Sequence, residues 1–342
     1  MTKKMTTRGA LAIWLLAAAA ALCAAAAMEM VVPDTLPLGL EAGECPPQVK
    51  VEEIVRKAVL AARQSNNKLT AGLLRIFFHD CFLEGCDASV FLPGERNAIP
   101  NQSLQQEALD LIENIRRQVH AACGGPKVSC ADILAFATRD AVVAAGVPHF
   151  NIVPGRMDSR EPARNIGDLP FPGDDVAKML DKFTRQGLTD ATDLVALSGG
   201  HTIGKTSCNL TRKGNDAFSK TIFSDCQASR SNQHSLDVIT PEVFDNQYFV
   251  ALTRSQGVLF SDQALTQHDK TAWLVNTYAG NNQKFLTQFA ASMMNLSRLK
   301  GPGADQKKKA VEIRFNCFSP NPPRIDLNTA TARVDEGLAA LA

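Results

Sequence analysis

The chain has 342 residues, enough for one large domain or two lobes around one site, with 45 % apolar residues and a net charge of +1. Its 36 Lys and Arg are dispersed and closely matched by 35 Asp and Glu, which argues against a nucleic-acid partner.

Residues 1–27 read as a secretory signal peptide. Lys3, Lys4 and Arg8 form a basic start, Leu11 to Leu22 an apolar centre, and Ala24 to Ala27 small residues for cleavage near Ala27. No later stretch is long enough to span a bilayer, so the mature chain is expected to be secreted, with no membrane span. Cys23 leaves with the signal. Cys45, Cys81, Cys86, Cys123, Cys130, Cys208, Cys226 and Cys317 remain, an even set in an oxidising compartment. Four disulfides follow, but spacing alone leaves their pairing open.

Val51 to Leu60 is apolar at helical spacing and reads as scaffold. Leu69 to Phe78 has no Pro, one Gly and a dense apolar run, predicting a buried helix that ends near His79. Arg75 and His79, four apart, share one face of it, while Asp80 points elsewhere. Cys81 and Cys86 then bracket a loop short enough for a disulfide to pin. Asp80, Asp87 and Ser89 supply side-chain oxygens around that loop, a set that suits Ca2+. Pro93 to Asn101 is a Pro/Gly-punctuated loop carrying Glu95 and Asn101. Gln105 to His120 is an amphipathic helix stopped by Gly124-Gly125-Pro126. Val128 to Val142 is another, and its Asp132 sits among apolar residues and needs a partner. Asp168 to Pro172 is a stiff extended segment.

Asp190 to Gly200 reads as a helix capped by Asp190 and running into Ser198-Gly199-Gly200-His201-Thr202. The paired glycines let another body approach the backbone before His201. Asn101, Asn209 and Asn295 head glycosylation sequons, of which Asn209 and Asn295 are the better candidates. Trp273 to Leu299 is helical, Gly301 to Ala304 breaks it, and Lys307-Lys308-Lys309 reads as a solvated run. Phe318 to Ala342 is a Pro-rich, then weakly amphipathic tail.

Arg75-x-x-Phe78-His79-Asp80-Cys81-Phe82-x-x-Gly85-Cys86-Asp87-Ala88-Ser89 resembles the distal signature of secreted plant-type (class III) haem peroxidases. Ser198 to Gly204, with Cys208 seven residues beyond His201, resembles their proximal motif, and the resemblance covers Cys45 to Cys317. It implies a signal peptide at 1–27, a haem peroxidase domain at 28–318 and a C-terminal extension at 319–342. The implied fold is mainly α and two-lobed, with haem b between distal and proximal helices and one Ca2+ per lobe. The implied function is reduction of H2O2 to water with one-electron oxidation of phenolic or similar aromatic donors, by a monomer.

On this resemblance His79 is the acid/base and Arg75 the charge stabiliser, with Asn101 and Glu95 orienting His79. His201 is the axial iron ligand and Asp262 its hydrogen-bond acceptor. The distal Ca2+ takes Asp80, Leu83, Gly85, Asp87 and Ser89, and the proximal one Thr202, Asp237, Thr240, Val243 and Asp245. Pro170 lies at the exposed haem edge as a donor contact, and a plain surface turn is the other reading of that segment. The implied disulfides are Cys45–Cys123, Cys81–Cys86, Cys130–Cys317 and Cys208–Cys226, and Asp132 pairs with Arg156. Vacuolar sorting through the tail is the alternative to the cell wall.

Several positions depart from the family pattern. Glu84 stands for a neutral amide, Leu236 for the Trp of intracellular relatives, and Phe150 for a common Trp. Cys208 and Cys226 are only 18 apart, and Ile99, Phe171 and Leu210 make an unfamiliar donor rim. A pectin-binding wall protein without turnover and a haem-free disulfide scaffold are the competing classes.

Overall fold

The computed structural model describes residues 45–300 and 310–323. The signal peptide, the Lys307-Lys308-Lys309 run and nearly all of the extension expected from 319 onward lie outside the described residues. The protein is mainly helical. In chain order the helices are α1 (Val51–Ser65), α2 (Leu69–Glu84), α3 (Pro93–Arg96), α4 (Gln106–Cys123), α5 (Cys130–Val143), α6 (Val176–Arg185) and α7 (Ala191–Ser198). They continue with α8 (Ala217–Ala228), α9 (Gln247–Thr253), α10 (Phe260–Ala264), α11 (Asp269–Gly280) and α12 (Asn282–Ser297). Two small antiparallel ribbons complete the frame: β1 (Asp158–Ser159) on β4 (Val311–Glu312), and β2 (Lys205–Ser207) on β3 (Gln233–Ser235).

The helices sort into two groups. In the first, α1, α4 and α5 pack around α2, whose Leu73, Ile76 and Phe77 are fully buried. In the second, α7 packs with α9's partner α11, and α12 lies against both α7 and α2. An aromatic cluster fills this second group. The Phe249 ring lies 4.9 Å from Phe285 and 5.2 Å from Tyr278, and Phe244 stands edge-on to Phe289 at 4.9 Å. Such pairs stabilise beyond the area they bury.

Local chemistry sets the helix ends. Ser129 caps α5 by accepting from Asp132 N (3.1 Å), and Asp190 caps α7 by accepting from Thr192 N (2.8 Å). Gly124, at φ 70, closes α4. Two sequence expectations need correcting. Helix α2 runs past His79 to Glu84, because Asp80, Cys81, Phe82 and Leu83 are all buried and extend its core-facing surface. Gly85, at φ 93, is what stops it. The helix expected over Trp273 to Leu299 is two helices, broken at Asn281, whose side chain accepts from Lys284 N (2.9 Å) and starts α12.

Four disulfides join Cys45–Cys123, Cys81–Cys86, Cys130–Cys317 and Cys208–Cys226. Beside the third, Asp158 is fully buried and accepts from Cys130 N (3.1 Å), Ala131 N (3.0 Å) and Arg314 N (2.9 Å). Arg314, also fully buried, donates to the carbonyls of Cys317 and Ala88, tying the C-terminal segment to the loop after α2. Asp132 accepts from Arg156 Nη1 at 2.9 Å and from Gly155 N at 2.7 Å, and Arg156 Nη2 reaches Ser297 O (2.6 Å) at the end of α12.

His120, which ends the helix expected from Gln105, is buried on α4, with Nε2 2.8 Å from Val128 O and Nδ1 3.2 Å from Arg116 Nη1. Burial pushes its pKa from 6.5 down to about 4; the Val128 carbonyl opposes this and Arg116 adds to it. The unfolded chain therefore takes up a proton here below pH 6.5 while the folded chain stays neutral, so stability is full above 6.5 and is lost as pH falls towards 4. Denaturant titrations of wild type and His120→Gln between these limits are expected to show a shallower acid loss in the variant, the difference reaching about 3 kcal/mol. Parallel curves would remove His120 from the acid response.

Candidate active site

Arg75 and His79 leave the same face of α2 and are both half-buried. His79 Nδ1 lies 2.6 Å from Asn101 Oδ1, so the ring donates there and keeps Nε2 as its acceptor nitrogen. Asn101 is buried and held in turn, with Nδ2 donating to the main-chain carbonyl of Glu95 at 3.0 Å. The link therefore runs through the backbone of Glu95, while its carboxylate accepts from Ala163 N at 2.7 Å. Arg75 Nε points at His79 Nε2 across 3.5 Å. The far end of its guanidinium is anchored by Pro100 O (3.0 Å) and by Ser103 through O (3.2 Å) and Oγ (3.0 Å). Burial first, and then the Arg75 charge, push the His79 pKa down to about 3 against the Asn101 bond. The result is a neutral base beside a fixed cation.

On the other side, α7 passes into a single 3-10 turn, Gly199–Thr202, that carries His201. A Cβ on Gly199 would lie 2.4 Å from Phe285 Cε2, and one on Gly200 3.0 Å from Leu74 Cδ2. What comes close to the paired glycines is thus the protein's own core and the residue before Arg75. His201 Nδ1 lies 2.9 Å from Asp262 Oδ1 at the start of α10, and the same oxygen accepts from Tyr248 Oη of α9 at 2.9 Å. Asp262 is 2 % exposed and His201 40 %, so the acceptor is sealed while the ring keeps an open side. Burial lowers the His201 pKa, but Asp262 outweighs it and the net shift is upward; the Arg75 charge is felt here too and pulls down. An imidazole with one nitrogen backed by a buried carboxylate and the other left to ligate is a donor set that fits haem iron.

The family model described as Peroxidase matches residues 53–281, more than half of the chain. The chain belongs to the plant peroxidase family. Cationic peroxidase SPC4 of Sorghum bicolor is 40 % identical over 296 residues, 81 % of this chain and 80 % of that one. Peroxidase 12 of Arabidopsis thaliana is 38 % identical over the same length and shares of the two chains. Peroxidase 2 of Oryza sativa subsp. japonica is 37 % identical over 322 residues, 90 % of this chain and 96 % of its own. Membership makes the protein an oxidoreductase that reacts with peroxide, and implies haem as its cofactor.

The peroxidase gathers its two oxygen-rich segments as well. Asp80 is fully buried, its oxygens accepting from Ala88 N (3.0 Å) and Val90 N (3.4 Å), and Asp87 accepts from Ser89 N (3.1 Å). Burial, then the charges of Asp87 and Glu95, drive the Asp80 pKa well above its ordinary value. The buried Ser89 Oγ has no hydrogen-bond partner among the described residues. Crowded carboxylates and an orphaned hydroxyl fit a cation bound among them. Leu83 closes the last turn of α2, next to the Gly85 cap, and Glu84 turns aside to accept from Arg164 N at 3.0 Å. Near His201, Thr202 Oγ1 donates to Asp237 Oδ2 (3.2 Å) and to Val243 O (3.4 Å), and Thr240 Oγ1 to Asp245 Oδ1 (2.9 Å). All five residues of the second set therefore meet. Among the described residues no cluster of three His, Cys, Asp or Glu side chains forms a metal site, so any cation here draws on hydroxyls and carbonyls too.

Tyr248 and Ser103 escape the sequence reading. Tyr248 could have been suspected, because a phenol in an apolar helix needs an acceptor and the chain has only two tyrosines. Ser103 gave no signal beyond its sequon. Gly199→Ala is expected to lower stability by about 1–3 kcal/mol by pushing Phe285, and Gly200→Ala by less, since a leucine methyl yields more easily than a packed ring. Thermal midpoints of the two variants check this, and equal midpoints would contradict the packing described.

Proposed function

We propose that the peroxidase reaction runs between Arg75, His79 and Asn101 on one side and His201 on the other, with H2O2 as oxidant and phenolic or similar aromatic molecules as one-electron donors. The 2.6 Å bond from His79 Nδ1 to Asn101 carries this reading, because it fixes the tautomer that a proton acceptor needs. Haem b, when bound, supplies the iron and conjugated ring that take two oxidising equivalents from peroxide and release them one at a time. His201 would hold the iron through Nε2, with Asp262 drawing on its Nδ1 proton. His79 Nε2 takes the proton of the nearer peroxide oxygen and returns it to the departing one, which leaves as water. Arg75, its Nη groups anchored by Pro100 and Ser103, keeps a positive charge where negative charge grows on that departing oxygen.

The donor is proposed to meet the protein at Pro170. The carbonyls of Leu169 and Pro172 are taken by Lys182 Nζ (2.6 Å) and Ser261 N (2.9 Å), while that of Pro170 accepts nothing among the described residues. A phenolic hydroxyl would find an acceptor there. Ile99, Phe171 and Leu210 are exposed apolar side chains suited to an aromatic donor. Secretion is supported by the apolar leader and the four disulfides. Among the described residues no helix is long and apolar enough to cross a membrane. Asn209 is exposed in a short turn and suits a glycan, whereas Asn295 lies within α12 and donates to Asp193 at 3.1 Å.

The spectrum of the haem-loaded protein before and after one equivalent of H2O2, followed by stopped flow, tests the reaction. With the His79 pKa at about 3, the rate with peroxide is expected to be flat above about pH 5 and to fall as the base is protonated at lower pH. His79→Leu should slow it about 1,000-fold, and Asn101→Val about 10-fold. A wild-type rate in His79→Leu would overturn the assignment. Two Ca2+ are proposed at the oxygen-rich segments, one at residues 80–89 and one at residues 202–245. Removing Ca2+ with EGTA should lower the thermal midpoint, and Ca2+ should restore it where Mg2+ does not, because Mg2+ demands a smaller and more rigid shell. An unchanged midpoint would exclude both sites.

A further inference from the structure

We propose that Tyr248 is a positioning residue that limits how far Asp262 draws the Nδ1 proton away from His201. This rests on the reading of His201 as the iron ligand. Both donors converge on one atom: His201 Nδ1 and Tyr248 Oη each lie 2.9 Å from Asp262 Oδ1. The second carboxylate oxygen, Oδ2, is buried and has no hydrogen-bond partner among the described residues. Tyr248 is 1 % exposed and Asp262 2 %, so water does not dilute either bond. The Tyr248 ring stands edge-on to His201, with centroids 6.2 Å apart and planes at 80°, and Phe249 packs against it at 4.9 Å. These contacts hold the hydroxyl on its acceptor.

The chemistry follows from sharing. A hydrogen bond donated to a carboxylate oxygen withdraws electron density and makes that oxygen a weaker acceptor for the next donor. With the phenol in place, Asp262 pulls on the imidazole proton less than a singly bonded carboxylate would. His201 then keeps more imidazole and less imidazolate character, and donates less charge to a metal at Nε2. The hydroxyl of α9 thus trims an effect that the carboxylate of α10 exerts.

The test uses the full-length haem-loaded protein. Tyr248→Phe keeps the ring and removes the donor. The iron–histidine stretch of the ferrous protein is expected to move to higher frequency, and the ferric/ferrous potential to lower values, with the absorption spectrum otherwise that of wild type. The opposite perturbation is also available. Tyr248 and Tyr278 are the only tyrosines in the chain, so 3-fluorotyrosine incorporated in a Tyr278→Phe background alters residue 248 alone. Fluorination strengthens the phenol as a donor and should move both readouts the other way from Tyr248→Phe, relative to unlabelled Tyr278→Phe. Opposite signs support the proposal, since a packing defect would not change sign. A wild-type stretch and potential in either variant would overturn it. Should Tyr248→Phe fail to fold, the fluorinated protein decides alone. Absence of any iron–histidine stretch in wild type would instead overturn the ligand assignment on which the proposal stands.

Discussion

The two faces of the site meet where a pair of glycines leaves little room for a side chain. The Gly199–Gly200 step presses on Phe285 from one side and on Leu74 from the other. Leu74 precedes Arg75 on α2, and Gly200 precedes His201, so one steric contact sets the distance between the two halves of the chemistry. Close packing transmits displacement rather than absorbing it. A shift of α12, which carries Phe285, would therefore move His201 relative to His79 although neither residue touches α12 in sequence. The aromatic cluster around Phe249 and Phe285 is best seen as the mount for that contact.

The two histidines have opposite electrostatic surroundings. His79 is driven towards neutrality by burial and by Arg75, while His201 is held the other way by Asp262. Arg75 pulls on both, which shows that one cation reaches across the gap. Around α2 the pattern is inverted again, with burial and then the charges of Asp87 and Glu95 raising the proton affinity of Asp80. A divalent cation among them would relieve that repulsion and lower the cost of keeping carboxylates buried one residue from a neutral base.

Much of this was legible in the sequence, for identifiable reasons. Arg75 and His79 sit one helical turn apart, where spacing decides that they share a face, and the short Cys81-to-Cys86 loop lies directly after them. His201 was legible through its glycines, although those proved to serve core packing. The partnerships that were not legible join distant segments. Tyr248 and Asp262 come from different helices, and the anchoring of Arg75 by Pro100 and Ser103 depends on how a loop folds back over α2. Glu95 and Asn101 were expected to join by a hydrogen bond, and Asn101 donates to the Glu95 main-chain carbonyl, a detail that residue identity does not carry. The end of α2 was misplaced because burial of Asp80, a tertiary fact, overrode the polar appearance of His79-Asp80.

The lock formed by Arg314 and Asp158 bears on how the protein is made. The carbonyl of Ala88, inside the distal loop, receives its donor from residue 314, and the first two N–H groups of α5 find their acceptor in Asp158 while Cys130 is bonded to Cys317. A chain emerging amino end first can wind α2 early, since helices form from local contacts. It cannot close the loop that follows until nearly the whole domain has been synthesised, because contacts of such long sequence separation form late and slowly. The loop after α2 is therefore closed later than the helix itself, and a nascent chain cut short before Arg314 lacks the donor that the Ala88 carbonyl receives in the finished domain.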